Sequence, residues 1–142
     1  MMNINIPHFL YVLFRSYKGP RANLKGEDLL CSTFVNQCVG WTLDGSLKAI
    51  WFHIGNENTN SLGMNSKLKA LGRISGCPDY CFINKHRTIF LEFKSEKGKQ
   101  TINQMAFEAW CLEIGISYFI IRSIEQAIKI LQDNKFLDDK IK

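Results

Sequence analysis

The stretch Gly76-Cys77-Pro78-Asp79-Tyr80-Cys81-Phe82-Ile83-Asn84-Lys85-His86-Arg87-Thr88-Ile89-Phe90-Leu91-Glu92-Phe93-Lys94 decides how this chain is read. Tyr80 to Ile83 and Thr88 to Phe93 are rich in β-branched and aromatic residues, and the polar Asn84-Lys85-His86-Arg87 separates them. Runs of that kind favour strands, and a short polar break between two of them predicts an antiparallel hairpin. With the four polar residues in the loop, Ile83 pairs with Thr88, and counting outward brings Asp79 opposite Glu92. Cross-strand partners share a face and stand about 5 Å apart at Cβ. Lys94, two residues past Glu92, falls on that face by the strand's period of two.

Two carboxylates that close repel, and burying either one alone costs several kcal/mol or forces it to take up a proton. A divalent cation removes the conflict. Hard oxygen ligands suit Mg²⁺, which keeps several waters and readily shares its shell with a phosphate. Lys94 then stands where it can hold an attacking water or offset charge growing on a phosphate. The plainer alternative is a solvated sheet face, with Pro78-Asp79 as ordinary turn chemistry. Phe90, Leu91 and Phe93 around the charges weigh against it, because both faces of the hairpin are largely apolar, as in a sheet covered on both sides.

Pro78-Asp79 followed, after a hairpin, by Glu92-Phe93-Lys94 resembles the PD-(D/E)XK nuclease signature. The fuller string is similar to the virus-type replication-repair nuclease (VRR-NUC) branch of that superfamily. It comprises Gly72, Gly76-Cys77-Pro78-Asp79, Phe90-Leu91-Glu92-Phe93-Lys94-Ser95-Glu96-Lys97-Gly98 and Gln104. The resemblance runs roughly from Glu27 to Leu131. It implies a Mg²⁺- or Mn²⁺-dependent nuclease in which Asp79, Glu92 and Lys94 are catalytic and Gln104 contacts substrate or water. It adds Glu27, on the first helix, and the main-chain carbonyl of Phe93 to the metal ligands, with Asp28 as the competitor of Glu27. Its stand-alone members imply a homodimer acting on branched DNA such as four-way junctions. Flap- or end-directed cutting is the alternative, and a nucleic-acid-binding module that does not cleave is another.

The chain as a whole is compatible with this. Its 142 residues suit one domain, and 46% hydrophobic with 22% charged residues are globular values. A formal net charge of +5 suits a polyanionic partner without proving one. Five cysteines, Cys31, Cys38, Cys77, Cys81 and Cys111, form no C-x-x-C pair and follow no export signal, so buried free thiols in a reducing compartment are expected. A soft-metal role for Cys77 and Cys81 ranks below packing. No apolar run approaches the roughly 20 residues of a membrane span, so a soluble intracellular protein is expected, nuclear if the host is eukaryotic.

Working outward, Ile4 to Phe14 is apolar and reads as a strand or short helix that packs on the domain, with a dimer contact as the alternative. The basic residues Arg15, Lys18, Arg21 and Lys25 follow. Glu27 to Val39 has helical apolar spacing, Gly40 to Gly45 reads as a turn and Lys48 to Ile54 as a strand. His53, Asn56 and Glu57 fall where the resembled family commonly carries a polar cluster beside its site. Among aromatics, though, a lone histidine such as His53 is more often a hydrogen-bonded core residue. Asn58 to Ser66 reads as a loop, and Lys67 to Arg73 as a short basic helix. Lys67, Lys69 and Arg73, with Lys97 and Lys99 beyond the hairpin, are candidate phosphate contacts.

Past the hairpin, a helix from about Thr101 to Ile114 opens with a capping box, Thr101 with Gln104, and ends at Gly115. Ile116 to Ile121 reads as a strand, and Ser123 with Gln126 starts a last, structural helix. The charged tail from Asp133 is expected to fray. Helix, three strands, helix, strand, helix is the order of a mixed α/β domain, and with the charged hairpin it implies a restriction-endonuclease-like sheet flanked by helices.

Overall fold

The computed structural model describes residues 6–55 and 60–142. In chain order its elements are α1 (His8–Phe14), α2 (Gly26–Asp44), β1 (Ile50–His53), α3 (Leu62–Ala70), β2 (Tyr80–Ile83), β3 (Thr88–Phe93), α4 (Ile102–Ile114), β4 (Ser117–Ile121) and α5 (Ile124–Asp133). This is an α/β chain with a four-stranded sheet ordered β1-β2-β3-β4. Two compact units divide it, Met1–Ile50 with Ile121–Lys142, and Trp51–Ile120.

In the first unit α2 packs against α5. Phe34, Cys38 and Thr42 recur every four residues along α2 and are buried, as are Ala127 and Leu131 on α5. That stripe explains a correction to the sequence reading. The expected turn from Gly40 to Gly45 is helical up to Asp44, because the buried face runs on past Gly40 to Thr42. The helix stops at Gly45, whose φ of 84° is the left-handed conformation that glycine adopts without strain. At α5, Ser123 Oγ accepts from the Gln126 N–H, while the Gln126 side chain reaches the Arg122 N–H instead of closing the box on Ser123.

The tail does not fray. Phe136 and Leu137 are buried, Leu137 bridges Leu47, and Lys48 N–H donates to the Phe136 carbonyl at 2.8 Å. Two apolar residues within a charged run suffice to anchor it. At the other terminus, Leu10 and Phe14 of α1 are half-buried. Among the described residues α1 contributes none to the core, and Phe9 and Leu13 are 63% and 68% exposed.

The second unit is built on the hairpin. Its register pairs Tyr80 with Leu91, Cys81 with Phe90, Phe82 with Ile89 and Ile83 with Thr88, as the sequence predicts. Asn84 shapes the loop, since its Oδ1 accepts from the His86 and Arg87 N–H groups at 2.9 and 3.0 Å. Tyr80, Cys81, Phe82, Ile89, Leu91 and Phe93 are buried on both faces, which is the burial of a central strand pair. The helix expected at Lys67 starts five residues earlier, because Ser61 caps it by accepting from the Met64 N–H.

Candidate metal centre

Everything in the site grows from where the β2–β3 ladder ends. One residue beyond the Tyr80–Leu91 pair stand Asp79 and Glu92, and each has a carboxylate oxygen within 4.8 Å of the other. Asp79 is fixed by its surroundings: its N–H donates to the Leu91 carbonyl at 3.0 Å, and its Oδ2 accepts from the Phe93 N–H at 2.7 Å. Its carbonyl accepts from Ile54 at 2.8 Å, which ties it to the end of β1 as well. A residue whose main chain is bonded on both sides and whose carboxylate accepts from a third main-chain group has little freedom left to relax away from its neighbour.

Glu92 is 1% exposed and Lys94 7%. Lys94 Nζ lies 3.8 Å from Glu92 Oε1, so the strand's alternation delivers the ammonium to the same face, as expected. At these separations the Lys94 attraction and the Asp79 repulsion are each on the order of 3–4 kcal/mol with an effective dielectric of about 20. They nearly cancel, with two carboxylates standing beside one ammonium. A hard divalent cation with oxygen ligands fits that arrangement, and the donor set is of the right chemistry for it.

Gln104 reconciles its two sequence readings. Its Oε1 accepts from the Thr101 N–H at 2.9 Å while its own N–H donates to Thr101 Oγ1, completing the capping box. Its Nε2 donates to Glu92 Oε1 at 2.9 Å. The helix start is therefore also a support for the acid. Gly76 makes this close approach possible: at φ 95° it lies so near α4 that a Cβ would fall 2.5 Å from the Asn103 carbonyl.

The sequence reading missed Tyr118. From β4 its hydroxyl donates to Glu92 Oε2 at 3.3 Å. Burial first, then the nearby Glu92 carboxylate, hold the Tyr118 proton well above the ordinary phenol range, so it acts as a neutral donor. A polar-tipped aromatic inside an otherwise apolar strand was the signal available, since buried tyrosine hydroxyls seek partners.

The other expected residues lie on several elements. Glu27 is half-buried in the first turn of α2, and Asp28 beside it is exposed. Lys67, Lys69, Lys97 and Lys99 are exposed, while Arg73 is partly covered. His53 is exposed and set against the Tyr80 ring at 5.2 Å, so it is not the core histidine the sequence allowed. Asn56 and Glu57 lie outside the described residues. All five thiols are free, and among the described residues none joins a group of three ligands. Burial pushes Cys77 and Cys81 up, which disfavours the thiolate a soft metal needs. No family model matches the chain, and neither a curated protein nor a solved structure does.

Proposed function

We propose that this protein is a Mg²⁺- or Mn²⁺-dependent nuclease that hydrolyses phosphodiester bonds in DNA, on a restriction-endonuclease-like fold. The observation that carries the reading is the cluster on one hairpin of half-buried Asp79 with buried Glu92 and Lys94, where Glu92 pairs with the ammonium and has a carboxylate oxygen within 4.8 Å of one of Asp79. Charge buried in that way is costly and persists where a ligand completes it.

Asp79 and Glu92 hold the ion. The resemblance to VRR-NUC nucleases assigns Glu27 and the Phe93 carbonyl as further ligands. When bound, such an ion supplies an activated water and a counter-charge for the attacked phosphate. Lys94 offsets negative charge developing on that phosphate. Gln104 holds Glu92 from the α4 side, and the Phe93 N–H holds Asp79. Lys67, Lys69, Arg73, Lys97 and Lys99 contact the phosphate backbone, positioning DNA without reading its sequence. The exposed apolar side chains of α1 support a homodimer, and a two-fold pair of sites suits branched DNA.

The test is cleavage of labelled four-way-junction, flap, single-stranded and linear DNA in Mg²⁺, Mn²⁺ and EDTA. Metal-dependent cutting that falls about a hundredfold or more in Asp79→Ala and Lys94→Ala is expected, with a smaller loss in Glu27→Gln. Preference for the flap would move the substrate class. Binding of every DNA with cleavage of none would replace the enzyme by a binding module.

A further inference from the structure

Glu92 carries a feature that the nuclease reading does not use. The last torsion of a glutamate, between sp³ and sp² carbons, is broad and has no sharp minimum, so the plane of its carboxylate is set by what it bonds to. Here donors reach its two oxygens from different elements. Gln104 Nε2 donates to Oε1 from α4 at 2.9 Å, and the Tyr118 hydroxyl donates to Oε2 from β4 at 3.3 Å. Lys94 sits on the Oε1 side at 3.8 Å. Rotation of the carboxylate breaks one of these bonds whichever way it turns.

We propose that Tyr118 is a positioning residue that fixes the plane of the Glu92 carboxylate and so sets which divalent ion the site accepts. The proposal rests on the metal-site reading above. Mg²⁺ demands near-ideal octahedral geometry at about 2.0–2.1 Å, whereas Ca²⁺ takes six to eight oxygens at about 2.3–2.6 Å in flexible arrangements. A carboxylate held in one plane suits the first ion, and a swivelling one suits the second. Tyr118 fits the task chemically: its half-buried ring stands beside Phe107, 6.5 Å between centroids, and carries the hydroxyl to Glu92. A phenylalanine in its place keeps that packing and removes the hydroxyl, with its bond to Glu92 and its contact with Gln100.

The experiment titrates Mg²⁺ and Ca²⁺ calorimetrically into DNA-free wild type and Tyr118→Phe, with thermal melts of both in EDTA. Loss of a residue that orients a metal ligand typically weakens binding 10- to 100-fold. Given a bond at the long end of the range, about a tenfold rise in the Mg²⁺ dissociation constant is expected, with Ca²⁺ changed much less and the melting temperature within a few degrees. A selectivity ratio that does not move, whether both ions weaken equally or neither does, overturns the assignment while leaving the metal site standing. A wild type that binds neither ion overturns the metal site and this assignment together. Gln104→Leu, which cuts the other bond but also the helix cap, serves as the counterpart: a selectivity shift in the same direction is expected, and one in the opposite direction counts against the shared-restraint account.

Discussion

Thr42 on α2 and Glu92 on β3 are both buried polar residues, and the two regions satisfy them by different means. Thr42 turns its hydroxyl back to the Cys38 carbonyl at 2.7 Å, one helical turn away, within the element that carries it. Glu92 needs Lys94 from its own strand, Gln104 from α4 and Tyr118 from β4. The helical unit thus solves its polar problem locally and neutrally. The hairpin adds two partners from other elements to its own Lys94 and still keeps Asp79 within 4.8 Å. A helix core of that kind is a device for stability, whereas a hairpin that buries opposed charges spends stability on holding them in place.

The sharpest way to break that contrast is Lys94→Met. It leaves Glu92 buried beside Asp79 without its ammonium, so chemical denaturation in EDTA is expected to show a loss of about 3 kcal/mol or more. Adding Mg²⁺ should recover part of it, since ligands that bind the native state stabilise it. Full stability in EDTA would mean the hairpin carries no electrostatic strain. Gly76→Ala comes next, at roughly 2 kcal/mol, because the new Cβ meets the Asn103 backbone at 2.5 Å in a left-handed conformation. Movement of α4 away from the site, read as lost protection of the Gln104 amide in hydrogen exchange, should accompany it. On the helical side, Thr42→Val removes a self-contained bond and costs about 1 kcal/mol by the same denaturation, with no dependence on divalent ions.

The smallest effect is a matter of pH. The Tyr118 proton is held above the ordinary phenol value of 10.0, by burial and then by Glu92. The unfolded chain gives up that proton first, so the stability it contributes is whole below pH 10 and drains away as pH rises through the higher folded value. Melting curves between pH 8 and 11 should therefore fall less steeply for Tyr118→Phe than for wild type. Parallel curves would mean that the phenol titrates alike in both states.

How much of this was legible in the sequence depends on how far apart the partners are. The hairpin register, the break at Asn84 and the helix starts at Thr101 and Ser123 are set by residues a few positions apart, and each was readable. The Asp79, Glu92 and Lys94 cluster followed from that register and the period of two. The extension of α2 through Gly40 was not readable from a glycine-bounded window, because it depends on the burial of Thr42. The tail was misjudged for a related reason: its charge outweighs Phe136 and Leu137 until a bridge to Leu47 shows where they go.

What the sequence by itself determined is the local physics of the site: a strand pairing fixed by one loop, alternation that puts an acid and a lysine on one face, and a capping box that begins α4. What the tertiary structure decided is who holds Glu92. That Gln104 serves the helix cap and the acid at once, and that Tyr118 reaches the second oxygen from β4, follows from how the strand and the helix pack around the hairpin. Sequence spacing carries torsional and hydrogen-bond preferences between near neighbours, and contacts across 12 and 26 residues exist only once burial has brought the elements together.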